Sequence, residues 1–139
     1  MPYKFLPHTA DAMFEVKAKD VEKVFIDSAK ALNAIQVRLN TLKKRIKKEI
    51  ILKNDSLEFL LYDFLEELVF LKDTEQLLFK DFKVKIKKNE KYELFAECYG
   101  DKINPNQQEL LCDVKAITLE NFKLWREKNF WKATVIVDI

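Results

Sequence analysis

The apolar positions along this chain follow two periods. From 56 to 72, Leu57, Leu60, Leu61, Phe64, Leu65, Leu68 and Val69 recur at i, i+3, i+4 and i+7 without a break. That spacing predicts an amphipathic helix laid flat against a sheet. Asp55, three residues before Glu58, stands where a capping box would begin. A second stripe over 21–36 carries Val21, Val24, Phe25, Ser28, Leu32 and Ile35, with Asp20 as N-cap. Elsewhere the period drops to two. Phe82, Val84 and Ile86 alternate with Lys83, Lys85 and Lys87, and Phe14, Val16 and Ala18 repeat the pattern near the start, as half-buried strands do. Segments 45–52, 92–98, 111–119, 121–125 and 130–139 add further strands, with turns near Asn89-Glu90 and Lys128-Asn129. Residues 101–108 form a polar loop through Pro105. Runs of strands with two segregated helices predict an α+β fold over 1–139, two amphipathic helices packed on mostly antiparallel sheets.

Composition narrows the chemistry. The chain has 139 residues, 48% hydrophobic and 35% charged, enough to bury a core in one domain. A formal net charge of +2 leaves no global field toward nucleic acid, so any such binding must be local. Gly100 is the sole glycine, which excludes a glycine-rich phosphate loop and a dinucleotide fingerprint, since both need several. Cys98 and Cys112 lack metal spacing and read as buried free thiols. With no signal peptide and no apolar run near the roughly 18 residues of a membrane span, a cytoplasmic location with no membrane contact is expected.

His8 is the only histidine, so a histidine cluster or a zinc site with several imidazoles cannot be assembled within one chain. A metal would need oxygen ligands, which points to calcium, magnesium or manganese. The β-branched run ending at Val137 is followed by Asp138 and Ile139, a side-chain carboxylate beside an α-carboxylate and hence half of a hard-cation site. Asp11 could supply more, although spacing does not bring the ends together and an Asp at such a turn equally serves an Asx-turn or cap. His8, among apolar neighbours, reads as a hydrogen-bonded structural residue. Asp113 and Lys115 fall two apart on one strand face. They are either solvated or a carboxylate and an ammonium offered to a phosphate, metal or partner. The lysine-rich stretches 43–48 and 83–88 read as a soluble outer face or a blunted edge. The phenylalanines fall on the buried parity, which weakens the signal for direct RNA binding.

Three segments in register, His8-Thr9-Ala10-Asp11, Asp113-Val114-Lys115-Ala116-Ile117-Thr118 and Val135-Ile136-Val137-Asp138-Ile139, resemble the archease family over the whole chain. The helix with Leu60-Leu61 and Phe64-Leu65-Glu66-Glu67-Leu68 looks like that family's long amphipathic helix. The chain departs from the family pattern at Asn104 and Gln108, in a loop where relatives often have an Asp and a His, and at Leu119-Glu120, where they commonly have Tyr-His. The resemblance implies an α+β accessory protein, not an enzyme, that activates an RtcB-type tRNA-splicing ligase. It would promote ligase guanylylation from GTP and repeated turnover. It further implies a divalent cation, Ca2+ or else Mg2+ or Mn2+, held by Asp11, Asp138 and the Ile139 carboxylate. Lys115, with Asp113 and His8, would contact phosphate or ligase, and tRNA would be met only through the ligase. A stand-alone metal-dependent phosphodiesterase and an RNA-binding or chaperone module using the lysine-rich strands are the competing readings.

Overall fold

The computed structural model describes residues 3–6 and 11–139, and the expected contact residue His8 lies outside them. Among the described residues the order is β1 (Tyr3–Leu6), β2 (Ala12–Ala18), α1 (Val21–Gln36), a 3-10 turn (Leu39–Thr41), β3 (Ile46–Asn54), α2 (Leu57–Glu75), β4 (Leu77–Lys88), β5 (Tyr92–Lys102), β6 (Ala116–Ile117), β7 (Lys123–Glu127) and β8 (Phe130–Asp138). The strands form two antiparallel sheets. One runs β3-β5-β4; the other runs β1-β2-β8, with β6 and β7 both paired to β8. Both helices touch both sheets, and one cluster joins Phe14 and Val135 of the larger sheet, Phe25 and Phe64 of the helices, and Val84 and Ala96 of the smaller. The α+β expectation therefore holds.

The helices begin where the apolar stripes begin, but their caps differ from expectation. Asp20 occupies the N-cap of α1 without a side-chain capping bond. Helix α2 is capped by Ser56, whose hydroxyl accepts the Phe59 N–H at 3.3 Å. Glu58 is thus the second helical residue, one short of the box position, and it instead accepts the Leu124 N–H of β7 at 3.0 Å.

Gly100 is explained by space. The β4–β5 ladder slips between Phe79 and Asp81, a bulge that brings the β4 backbone against β5. A Cβ on residue 100 would lie 1.9 Å from the Leu78 carbonyl oxygen. Buried Asn33 of α1 braces the same spot, its Oδ1 accepting the Phe79 N–H at 3.1 Å and its Nδ2 donating to the Ala29 carbonyl at 2.8 Å.

Three other expectations are corrected. Strand β5 runs on through Asp101 and Lys102 before the chain turns. The strand expected over 111–119 shrinks to Ala116 and Ile117. Residues 111 and 112 instead donate their N–H groups to the Gln36 and Ile35 carbonyls at 2.8 and 3.1 Å. That satisfies acceptors which the end of α1 leaves orphaned. As a result Cys112 is exposed, whereas Cys98 is buried with its thiol pushed up to about 12 by desolvation.

Candidate functional site

The candidate residues converge on one end of the larger sheet because β8 is flanked on both sides there. Ala12 of β2 pairs with Val137, which sets Asp11 at the register position opposite Asp138. On the other side Ala116 pairs with Asp138, and the Lys115 N–H donates to the Asp138 carbonyl at 2.8 Å. Asp11, Lys115, Asp138 and Ile139 thus come from three neighbouring chain segments. Asp11 and Asp138 are half-buried; Lys115 and Ile139 are exposed.

Asp113 is committed elsewhere. Its Oδ1 lies 2.6 Å from the Nζ of Lys72, which also reaches Asp73 at 2.7 Å and the Val114 carbonyl at 2.7 Å. The Lys72 side chain is only 6% exposed. Burial pulls its pKa down, but the hydrogen bonds and charges of Asp113 and Asp73 outweigh that and leave it raised. Both residues of the expected Asp113–Lys115 pair are exposed, but Asp113 is engaged by Lys72, and neither residue lies within a strand.

Lys72 and Glu66 were not among the sequence candidates. The Glu66 carboxylate accepts the Ile117 N–H at 2.9 Å. With Glu58 on Leu124 and Lys72 on Val114, it pins residues 113–124 along α2 and so sets β6 beside Asp138. A signal existed for Lys72: it continues the Leu65 and Leu68 apolar row, where a lysine requires buried partners. At the departures from the family pattern, Gln108 staples its own loop, accepting the Asn104 N–H at 3.0 Å and donating to the Lys102 carbonyl at 2.8 Å. Glu120 is exposed.

The carboxylates at the sheet end suit a hard cation. Among the described residues no group of three or more His, Cys, Asp or Glu side chains converges. Asp11 and Asp138 fit such an ion as an incomplete set that needs further oxygens.

These features define a class: a two-sheet α+β protein in which the start of β2 and the end of β8 bring Asp11 and Asp138 to one end of the larger sheet. The chain belongs to the archease family, since the model of the Archease protein family (MTH1598/TM1083) matches residues 3–139. It is 40% identical over 134 residues to the Pyrococcus abyssi protein archease, covering 95% of this chain and 94% of that one. It is 35% identical over 140 residues to the archease of Methanopyrus kandleri, with all of both chains covered. The solution structure of Methanobacterium thermoautotrophicum protein 1598 superposes with a TM-score of 0.88 at 32% identity, over 99% of each chain. An archease from Thermotoga maritima, at TM-score 0.64 and 18% identity over 98% and 96% of the two chains, shares the fold. No helix among the described residues is long and apolar enough to cross a membrane.

Proposed function

We propose that this chain is a non-catalytic protein cofactor of an RtcB-type tRNA-splicing ligase, working in the cytoplasm and meeting tRNA through that ligase. The observation that supports the reading is the pairing of β8 with β2 as far as Ala12–Val137, next to Asp11 and Asp138, and the bond from the Lys115 N–H to the Asp138 carbonyl. Asp11, Asp138 and the Ile139 carboxylate would hold a divalent cation, Ca2+ by preference. Such an ion takes about six to eight oxygens, so three protein groups leave positions for a phosphate or for ligase carboxylates. When bound, such an ion would supply positive charge against a phosphate. The chain's own part is placement. Strand pairing on both edges of β8 supports this placement of the carboxylates, and the exposed Lys115 ammonium would meet a phosphate or a ligase acid. His8, three residues before Asp11 in the sequence, would join Lys115 in contacting phosphate or ligase.

The test is a reconstitution with an archease-responsive ligase, GTP, divalent metal and excess RNA ending in a 2′,3′-cyclic phosphate. The intact protein should convert single turnover to multiple turnover. Asp138→Asn should lose that stimulation while keeping its melting temperature. Failure of the intact protein to stimulate would overturn the proposal, as would an Asp138→Asn protein as active as the original.

A further inference from the structure

The smaller sheet is covered by the helices on one side only. Its other face carries Asp81, Lys83, Lys85 and Lys87 from β4, then Glu93, Phe95, Glu97 and Tyr99 from β5, and Lys47, Glu49, Ile51 and Lys53 from β3. Phe95 corrects the sequence expectation that every phenylalanine faces the core. It lies on the central strand, 39% exposed, between Lys85 and the 68% exposed Ile51. Tyr99 stands on the same face four residues along.

The acids of this face are largely engaged away from β4. Glu97 meets Lys47 at 3.4 Å and accepts the Tyr99 hydroxyl at 3.2 Å. Glu93 meets Lys53 at 4.0 Å and accepts from the Asn89 amide at 2.7 Å. Asp81 is held by Lys44 at 3.0 Å and Lys30 at 3.8 Å, which keeps its carboxyl below the ordinary range. Among the described residues no ion pair is found for Lys83, Lys85 or Lys87. Lys83 lies 5.9 Å from the centre of the Tyr99 ring. The three ammonium groups recur every second residue, roughly 7 Å apart along the strand.

Along this lysine row and the β5 rings lie three shallow hollows that together make a broken trough. One is at Lys83, Asp81 and Tyr99, one at Lys85, Phe95 and Glu97, and one at Lys87, Ile51 and Glu93, so each also has a carboxylate in its wall. An evenly spaced cationic bank with two rings on the facing strand suits a strand of phosphates whose bases stack. An acidic peptide would use the lysines but has no need of the rings. The geometry points to single-stranded RNA as the occupant of this trough, bound through Lys83, Lys85 and Lys87 with a base on Phe95. The choice of RNA over DNA rests on the proposed role in RNA ligation. The trough lies on the sheet that does not carry Asp11 and Asp138, so the two surfaces are separable.

The experiment is fluorescence polarisation of the isolated full chain with a labelled unstructured oligouridine, without ligase or metal. Three neutralised phosphates on a single strand predict a slope of about −2 in log K against log salt, roughly a twentyfold loss between 50 and 200 mM. Lys85→Gln with Lys87→Gln should cut that slope to about one third. Phe95→Ala should weaken binding about fivefold or more with the slope unchanged. Asp138→Asn should bind as the original does, which separates this surface from the proposed ligase site. Absence of salt-sensitive binding would overturn the inference, as would binding indifferent to these lysines. Equal affinity for polyglutamate with no Phe95 effect would replace RNA by an acidic peptide, and preference for oligothymidine would replace it by DNA.

Discussion

The two sheets hold their registers by different means. The β3-β5-β4 sheet is built from strands of 9, 11 and 12 residues, and its long ladders align themselves. The outward charges pair across strands at the surface, where such pairs contribute little. The larger sheet ends in β6 and β7, of 2 and 5 residues. Pieces that short do not specify a register alone, and α2 supplies it through Glu58, Glu66 and Lys72, each bonded to a backbone group of 114–124. Long strands can therefore leave a face open for a ligand, whereas the end that gathers Asp138 and Lys115 depends on a helix for its geometry.

The sharpest way to break the comparison is at the bulge of the self-aligned sheet. Gly100→Ala drives a methyl into the Leu78 carbonyl, and the backbone cannot yield as a side-chain tip would. We expect a loss of about 3 kcal/mol or more and a melting temperature lower by roughly 10 °C, read by thermal denaturation. A change of under 1 kcal/mol would mean that the bulge is soft.

Lys72 tests the anchored sheet. Lys72→Met keeps the length of the chain but leaves the Val114 carbonyl without its donor, and should cost about 1–2 kcal/mol at neutral pH. The folded protein raises the pKa of Lys72, so it binds the proton more tightly than the unfolded chain. The resulting stabilisation is complete below the unfolded value of about 10.4 and is lost as pH rises through the folded value. Urea denaturation should therefore show the wild type's advantage intact from neutral pH to about 10 and shrinking above it. An advantage that grew with pH would contradict the ion-pair reading.

The smallest effect concerns where α2 begins. Ser56→Ala should cost about 1 kcal/mol, while Asp55→Ala should stay within about 0.5 kcal/mol. The reverse order in denaturant titrations would restore the Asp55–Glu58 box.

The helical stripes were legible in detail, since a 3.6-residue apolar period is a local property: α1 spans 21–36 as the pattern indicates and α2 overruns its stripe by one turn. Alternation identified β2, β3, β4 and β8 for the same reason. It misled over 111–119, because the N–H groups there are taken by the end of α1 rather than by a ladder, and the alternation of buried Val114 with exposed Asp113 and Lys115 arises without a strand. The order of residues indicated the acidic character of the sheet end. The burial of Lys72 could only be suspected from its place on an apolar row.

By itself the sequence determined the two helices, the long alternating strands and the absence of glycine-rich nucleotide loops, because each follows from residue type and local spacing. Tertiary structure alone decided that Asp11 and Asp138 each lie next to the terminal Ala12–Val137 pair at one end of the larger sheet, that Asp113 serves Lys72, and that Phe95 faces outward beside three lysines. Each of those depends on pairing between residues far apart in the chain, where register across a ladder, not spacing along it, sets which groups meet.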